Sequence, residues 1–332
     1  MSVEKIIADW KKKLFKPVYW FEGDEEYFID KAVTYAENHI LPESEASFNL
    51  TVFYGKDANW ADVINACRRY PMFAERQVIL LKEAQQMRDV EKLEAYIDNP
   101  LSSTVLVVSY KDKKLDARKK FTKLVKDNGV LVTTKKMYDR ELPEWTQQMI
   151  HGRGLTITPR ALSLVVDHIG NDLTRIENEI EKLSLNLGKR KSITEEDIEE
   201  YIGVSKDYNV FELQSALATK DLPKCIQIIQ YFEANPKAGP VQMILPSLYN
   251  FFSKVFMVFG AGTQDERTVA TSIGVNPYFI KDYLQAARVY AYPGVEKALL
   301  LLHQYNLKSI GVGSSSTEDS SLMKEMVVKM LS

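Results

Sequence analysis

Cysteine is nearly absent from this chain. Two occur in 332 residues, Cys67 and Cys225, and they fall in different predicted helices. So sparse a set cannot build a disulfide framework and points to reduced thiols in a cytoplasm. An excess of one charge is missing as well: the formal net charge is −2 and the pI about 6.2. A chain that grips DNA unaided is usually more basic. The opening MSVEKIIADWKKK contains no apolar h-region, so no signal peptide is expected. Histidine is scarce, and His151 and His168 lack metal-ligand spacing, so both read as structural and no metal or other cofactor is implied. Val241 to Phe259 is apolar almost all round, but it carries Pro246, Asn250, Ser253 and Lys254 and lacks a strong basic flank. Since a membrane span needs about 20 predominantly apolar residues, this stretch reads as a buried central helix and no membrane is expected. The rest is ordinary globular composition, 45% hydrophobic and 27% charged, and long enough for two or three cores.

Residues 1–140 alternate in type. An amphipathic helix (Val3, Ile6, Ile7, Trp10, Leu14) opens the chain. Strands are then expected at Val18–Phe21, Phe48–Tyr54, Gln77–Leu81, Thr104–Ser109 and Val130–Thr133. Helices are expected between them at Glu25–Ile40, Asn59–Arg69, Asp89–Ile97 and Asp116–Asp127. Such alternation implies a mostly parallel sheet covered on both faces. Ligands bind beyond the carboxyl ends of strands in such sheets. Here the first strand runs into Glu22-Gly23-Asp24-Glu25-Glu26-Tyr27. A phosphate-binding loop needs GxxxxGK[ST], whereas one glycine among four carboxylates repels a triphosphate. The acidic pair expected after a Walker B strand is missing too, since Lys82 and Glu83 follow Leu81. The fold suits a P-loop ATPase without the catalytic parts.

Residues 141–208 read as a small helical domain. Thr158 is an N-cap, Pro159 takes the first helical position, Ile157 and Leu162 are placed as a staple, and Gly170 stops the helix. Leu173, Ile176, Ile180, Leu183 and Leu187 mark one face of the next helix, and Thr194 opens a short helix to Tyr201. Residues 209–332 show no strand pattern. Helices are expected near 210–218, 222–234, 241–259, 267–272, 277–291, 295–310 and 320–331, with a flexible link at Gly311–Ser321.

Three stretches stand apart. Tyr70-Pro71-Met72-Phe73 follows a helical pattern and precedes an apolar strand, and Pro71 cannot continue a helix. Met72 and Phe73 therefore lie in a turn, with Glu75 and Arg76 after them. They either fold back into the core or form a hydrophobic plug for a partner's pocket. Tyr110 to Arg140 holds eleven Lys or Arg against four Asp. Lys119, Lys120, Lys123 and Lys126 share one side of the predicted helix there. That side is a solvated face or a contact with DNA phosphates. Thr268 to Tyr290 has the outline of a helix-turn-helix, but its second helix offers only Lys281 and Arg288 and many aromatics, which suits packing better than groove reading.

The Met-Phe turn, the strand in AERQVILLKEA and the later GNDLTRIENEIEKLSL together resemble the delta subunit of the bacterial DNA polymerase III clamp loader, over most of the chain. The resemblance implies an AAA+-like domain without Walker motifs (1–140), a small helical lid (141–208) and an all-helical collar (209–332). It implies that Met72 and Phe73 enter a pocket on the sliding clamp, with Tyr70, Pro71, Glu75 and Arg76 in support. The implied partners are the clamp's beta subunit, other clamp-loader subunits that carry the ATPase, and primed DNA within the complex. The implied place is the cytoplasm, at the nucleoid, and the chain by itself would be no enzyme. An active ATPase of the same fold, a helix-turn-helix DNA-binding protein and an AAA+-like adaptor outside replication are the rivals.

Overall fold

The computed structural model describes residues 2–205, 207–236, 238–263, 265–312 and 319–332, and no side chain at 139. The chain forms two compact units, Met1–Glu141 and Leu142–Ser332.

In order, the first unit contains α1 (Val3–Lys11), β1 (Val18–Gly23), α2 (Glu26–His39), α3 (Glu43–Asn49), β2 (Leu50–Tyr54), α4 (Trp60–Cys67), β3 (Gln77–Lys82), α5 (Glu94–Ile97), β4 (Thr104–Lys111), α6 (Lys120–Asn128) and β5 (Val130–Thr134). The five strands form one parallel sheet in the order β2-β3-β4-β1-β5. β3, β4 and β1 lie inside this sheet and read as near-continuous apolar runs. The period-2 alternation of side chains divides the core. Val18, Trp20, Ile79, Leu81, Leu106 and Val108 pack with α4, α5 and α6 on one face. Tyr19, Phe21, Val78, Leu80, Val105, Val107 and Val132 pack with α1 and α2 on the other.

Four local expectations give way. α1 stops at Lys11 because Lys13 turns into the left-handed region (φ 59°), with its N–H on Trp10 O (2.9 Å) and that of Leu14 on Asp9 O (3.0 Å); Leu14 is left exposed. Phe48, expected in a strand, lies in α3, which starts after Pro42 with Glu43 and Glu45 in its first turn. Those carboxylates suit the positive end of a helix. The helix expected at 89–97 is a 3-10 turn, Val90–Leu93, running into α5, because Asp89 sits at φ 57°. α6 begins at Lys120 rather than Asp116, because Asp116 accepts from the Arg118 N–H (3.0 Å) and the Thr122 hydroxyl donates to the Asp116 carbonyl (2.6 Å).

The second unit contains α7 (Leu142–Gly152), β6 (Thr156–Ile157), α8 (Pro159–Ile169), α9 (Leu173–Asn186), β7 (Ser192–Ile193), α10 (Glu195–Ile202), α11 (Val210–Ala218), α12 (Leu222–Ala234), α13 (Val241–Val258), α14 (Glu266–Ser272), α15 (Ile280–Ser309) and α16 (Asp319–Leu331). Thr158 caps α8, accepting from Ala161 N (3.1 Å), and Gly170 ends it at φ 72°. β6 and β7 pair in parallel, so the residues ahead of the two cap threonines also form a short ladder. α13 carries the core of the helical region through Leu245, Leu248, Phe251, Phe252 and Val255. The expected burial on all sides does not hold, because Met243, Tyr249, Phe256 and Met257 stand on an open face. Among the described residues no helix is long and apolar enough to cross a membrane. α15 is two helical stretches, as expected, meeting at Ala291, whose backbone (φ 51°, ψ 176°) is non-helical and breaks the ladder just before Pro293. The expected link at Gly311–Ser321 lies outside the described residues over 313–318, and from Asp319 it is already helix.

α10 offers a test of the local physics. The buried Asp197 carboxylate accepts from Thr194 N (2.9 Å) and from both Arg190 guanidinium nitrogens (2.6 and 3.2 Å). Burial alone raises its pKa, but Arg190 and the Thr194 donors outweigh it and hold the carboxyl below the usual carboxylate range. A depressed pKa gives stability that is present above the unfolded value and is lost as pH falls through the folded one. Asp197→Ala is expected to cost about 1–2 kcal/mol at neutral pH through the lost cap. Thermal unfolding of variant and parent should converge as the pH falls below about 4.

Candidate functional site

The Met-Phe turn is built by what ends α4 and what starts β3. α4 begins at Asn59, whose Oδ1 accepts from Ala61 N (2.9 Å), and it buries Val63, Ile64, Ala66 and Cys67. Its last carbonyls lack helical partners. Gln77, buried at the first position of β3, meets them: its Nε2 stands 3.1 Å from Ala66 O and 2.6 Å from Arg69 O. The same nitrogen reaches Thr104 Oγ1 (2.9 Å), and that hydroxyl donates to Cys67 O (2.9 Å). Helix end and strand start are thus tied together, and the intervening chain loops outward.

Two further contacts hold the loop. Asn49, at the end of α3 and 3% exposed, accepts from Met72 N (2.7 Å) and donates to Met72 O (3.0 Å). Arg76 lays its guanidinium over the Phe15 ring, 4.3 Å from the centroid, and meets Glu75 at 3.3 Å. Between these anchors Met72 is 53% exposed and Phe73 fully exposed, with Phe73 in the left-handed region (φ 53°). A bulky side chain there is a genuine backbone outlier and costs about 1–2 kcal/mol. Neither residue folds back into the core. Tyr70, expected in support of the turn, is 79% exposed; Pro71 is half-buried. Asn49 and Gln77 were missed by sequence reasoning. Gln77 carried a faint signal as a polar residue opening an apolar strand. Asn49 carried none, because its partner lies 23 residues away.

The basic segment is largely offset by local acids. Lys119 pairs with Glu91 (2.6 Å) and Lys120 with Glu94 (2.5 Å), and hydrogen bonds to those carboxylates raise both lysine pKa values. Lys111 reaches Glu26 and Asp30, Lys114 reaches Asp24, and Arg118 reaches Asp116. Lys123 and Lys126 are exposed on the outer side of α6. The four lysines therefore do not form one uncompensated stripe.

At the β1–α2 loop, where a nucleotide-binding relative would cradle phosphate, the backbone donors are engaged. Gly23 N donates to Lys113 O (3.2 Å), Asp24 N to Thr134 O (3.3 Å) and Glu25 N to Thr134 Oγ1 (3.3 Å). The Glu25 carboxylate itself caps α2, accepting from Tyr27 N (3.4 Å), and occupies the helix end that would favour an anion. Glu22 is buried beside them, accepting from Leu115 N (2.8 Å) and the Thr133 hydroxyl (3.0 Å). Among the described residues no group of three His, Cys, Asp or Glu side chains could hold a metal ion.

In the helix-turn-helix segment, Val269, Ala270, Ile273 and Ile280 form a small core with Val258, Tyr283 and Leu284 against them. Asp282 accepts from the Ser215 hydroxyl (2.7 Å), and Ala286, Ala287 and Tyr290 are buried. The second helix packs one face into the protein.

Residues 19–135 match the family model described as DNA polymerase III, delta subunit. The chain is 23% identical over 334 residues to the DNA polymerase III subunit delta of Bacillus subtilis (strain 168), covering 97% of this chain and 94% of that protein. It is 22% identical to a probable DNA polymerase III subunit delta of Aquifex aeolicus (strain VF5), over 86% of this chain and 85% of the other. The solved structure of the Bacillus subtilis DNA clamp loader delta protein (YqeN) superposes with a TM-score of 0.55 at 23% identity, over 99% of both chains.

Proposed function

We propose, from the premise that the chain belongs to the DNA polymerase III delta-subunit family, that it is the clamp-opening subunit of a clamp loader. The observation that carries this reading is the turn. An aromatic side chain is held fully in solvent, on a disfavoured backbone, by buried polar anchors. Within the isolated chain that arrangement gains nothing; a pocket on a partner would return the burial energy of Phe73 and Met72. Each side chain contributes about 1.5–3 kcal/mol when fully buried. Spent on a ring-shaped clamp, that energy shifts the closed–open equilibrium only as far as the open form is bound more tightly. Arg76, stacked on Phe15, and Glu75 orient the turn, and Tyr70 and Pro71 complete its contact surface.

The engaged donors and the carboxylates of the β1–α2 loop support a subunit that does not turn over ATP itself. ATP is bound and hydrolysed by neighbouring subunits, and this chain responds to them. Along the chain we assign 141–208 as the lid and 209–332 as the collar. The open aromatic face of α13, with Phe256 and Phe259 packed on Tyr292 at 5.0 and 5.7 Å, suits a surface that neighbouring subunits cover. Primed DNA is met within the complex, where Lys123 and Lys126 are the lysines of α6 outside the ion pairs described above. The assembly works in the cytoplasm, at the nucleoid. The packed second helix of the 268–290 segment disfavours a groove-reading protein.

Titration of the purified full chain against the sliding clamp of the same organism tests the reading. Binding at micromolar or tighter affinity is expected. A folded chain that leaves the clamp unbound would sink the proposal.

A further inference from the structure

We infer that Asn49 is a positioning residue for the Met72–Phe73 turn, and that α3 acts through it as the bracket holding the plug in its binding posture. The inference rests on the clamp-binding reading above. Its physical basis is a two-point contact. The Asn49 amide accepts from Met72 N at 2.7 Å and donates to Met72 O at 3.0 Å, so it reproduces the pairing of a neighbouring strand for one residue. The same Nδ2 also stands 3.1 Å from Glu45 O in the preceding turn of α3. The amide is 3% exposed, so water does not compete for these bonds. Met72 and Phe73 stand outside the buried clusters on both faces of the sheet, so burial in the core does not fix their posture. Phe73 stays in the left-handed region because its neighbour is pinned from α3 on one side and Arg76 is stacked on Phe15 on the other. Backbone strain of this kind persists only where the surroundings over-determine it.

A released turn would occupy the bound posture for a fraction of the time, and apparent affinity falls by that fraction. Loss of two buried hydrogen bonds corresponds to about a ten-fold fall. The penalty falls on association, because the complex, once formed, buries the same side chains. Phe73→Ala acts in the opposite way, by raising the dissociation rate.

The experiment measures association and dissociation rates of the full chain on the sliding clamp for the parent, Asn49→Ala, Asn49→Asp and Phe73→Ala, with amide hydrogen exchange on each chain alone. Asn49→Asp keeps the acceptor for Met72 N and loses the donor to Met72 O. Slower association for Asn49→Ala by about ten-fold, with Asn49→Asp between it and the parent, is expected. The Met72 amide of Asn49→Ala should exchange faster while the β2 and β3 amides keep their protection. Unchanged association with Phe73→Ala impaired would overturn the bracket and leave the plug standing. Equal binding by the parent and Phe73→Ala would instead refute the plug; faster Met72 exchange in Asn49→Ala would then still uphold the bracket's hold on the turn, and unchanged exchange would overturn it. If Asn49→Ala loses β2 protection, Asn49→Asp alone decides, by the same two readouts.

Discussion

Replacing Met72 and Phe73 together by alanine is expected to raise the dissociation constant for the sliding clamp by about 10²–10⁴-fold and to leave thermal unfolding almost unchanged. The binding estimate follows from about 1.5–3 kcal/mol for each side chain fully buried in a pocket, at about 1.4 kcal/mol per decade of affinity. The stability estimate follows from exposure, since neither side chain packs into the first unit's core. Surface changes of that kind fall within about 0.5 kcal/mol. Phe73→Gly sharpens the test because binding and stability should move in opposite directions. Glycine accepts φ 53° without a Cβ penalty, so this variant should unfold at a slightly higher temperature while binding as poorly as the alanine variant. Binding by titration calorimetry and melting by circular dichroism read the two effects separately. A double variant that binds the clamp like the parent would move the contact surface elsewhere on the chain.

The second large effect belongs to Gly23, where β1 gives way to the loop that leads into α2. Gly23 has φ 123°, and a Cβ there would stand 2.1 Å from Thr134 O and 2.8 Å from Thr134 N. Both obstacles are backbone, and Thr134 O also receives the Asp24 N–H. Gly23→Ala must therefore push β5 away from β1 and break the bonds that fasten the loop to Thr134. A loss of more than about 3 kcal/mol is expected, from backbone strain plus broken buried hydrogen bonds. Gly154→Ala is the matched control. Its φ is 74°, but a Cβ would meet nothing within 4 Å, so the cost is that of the left-handed backbone alone, about 1 kcal/mol. Denaturant unfolding of the two variants beside the parent separates strain from collision.

What could be read along the chain was whatever depends on near neighbours. The apolar run TVLVVS announced an interior strand, and it lies between β3 and β1. Thr158-Pro159 announced a helix start and Gly170 its end, and the structure places both there. α3 was hidden because Phe48 and the residues after it look like a β run. The start at Pro42 and the acidic first turn, Glu43 and Glu45, decide the matter locally. The break inside α15 was legible from Pro293, but not its sharpness, which lies in the backbone of Ala291.

The sequence alone determined that a parallel αβ sheet domain precedes a mainly helical region, and that a turn with two adjacent apolar residues follows α4. Periodicity, caps and proline act within a few residues, so they survive in a one-dimensional text. Only the tertiary structure decided that Phe73 stands in solvent rather than in the core, that Asn49 and Gln77 hold it there, and that Lys119 and Lys120 are paired with Glu91 and Glu94. Each of these depends on a hydrogen bond or ion pair to another element, and no local pattern encodes which distant group will arrive.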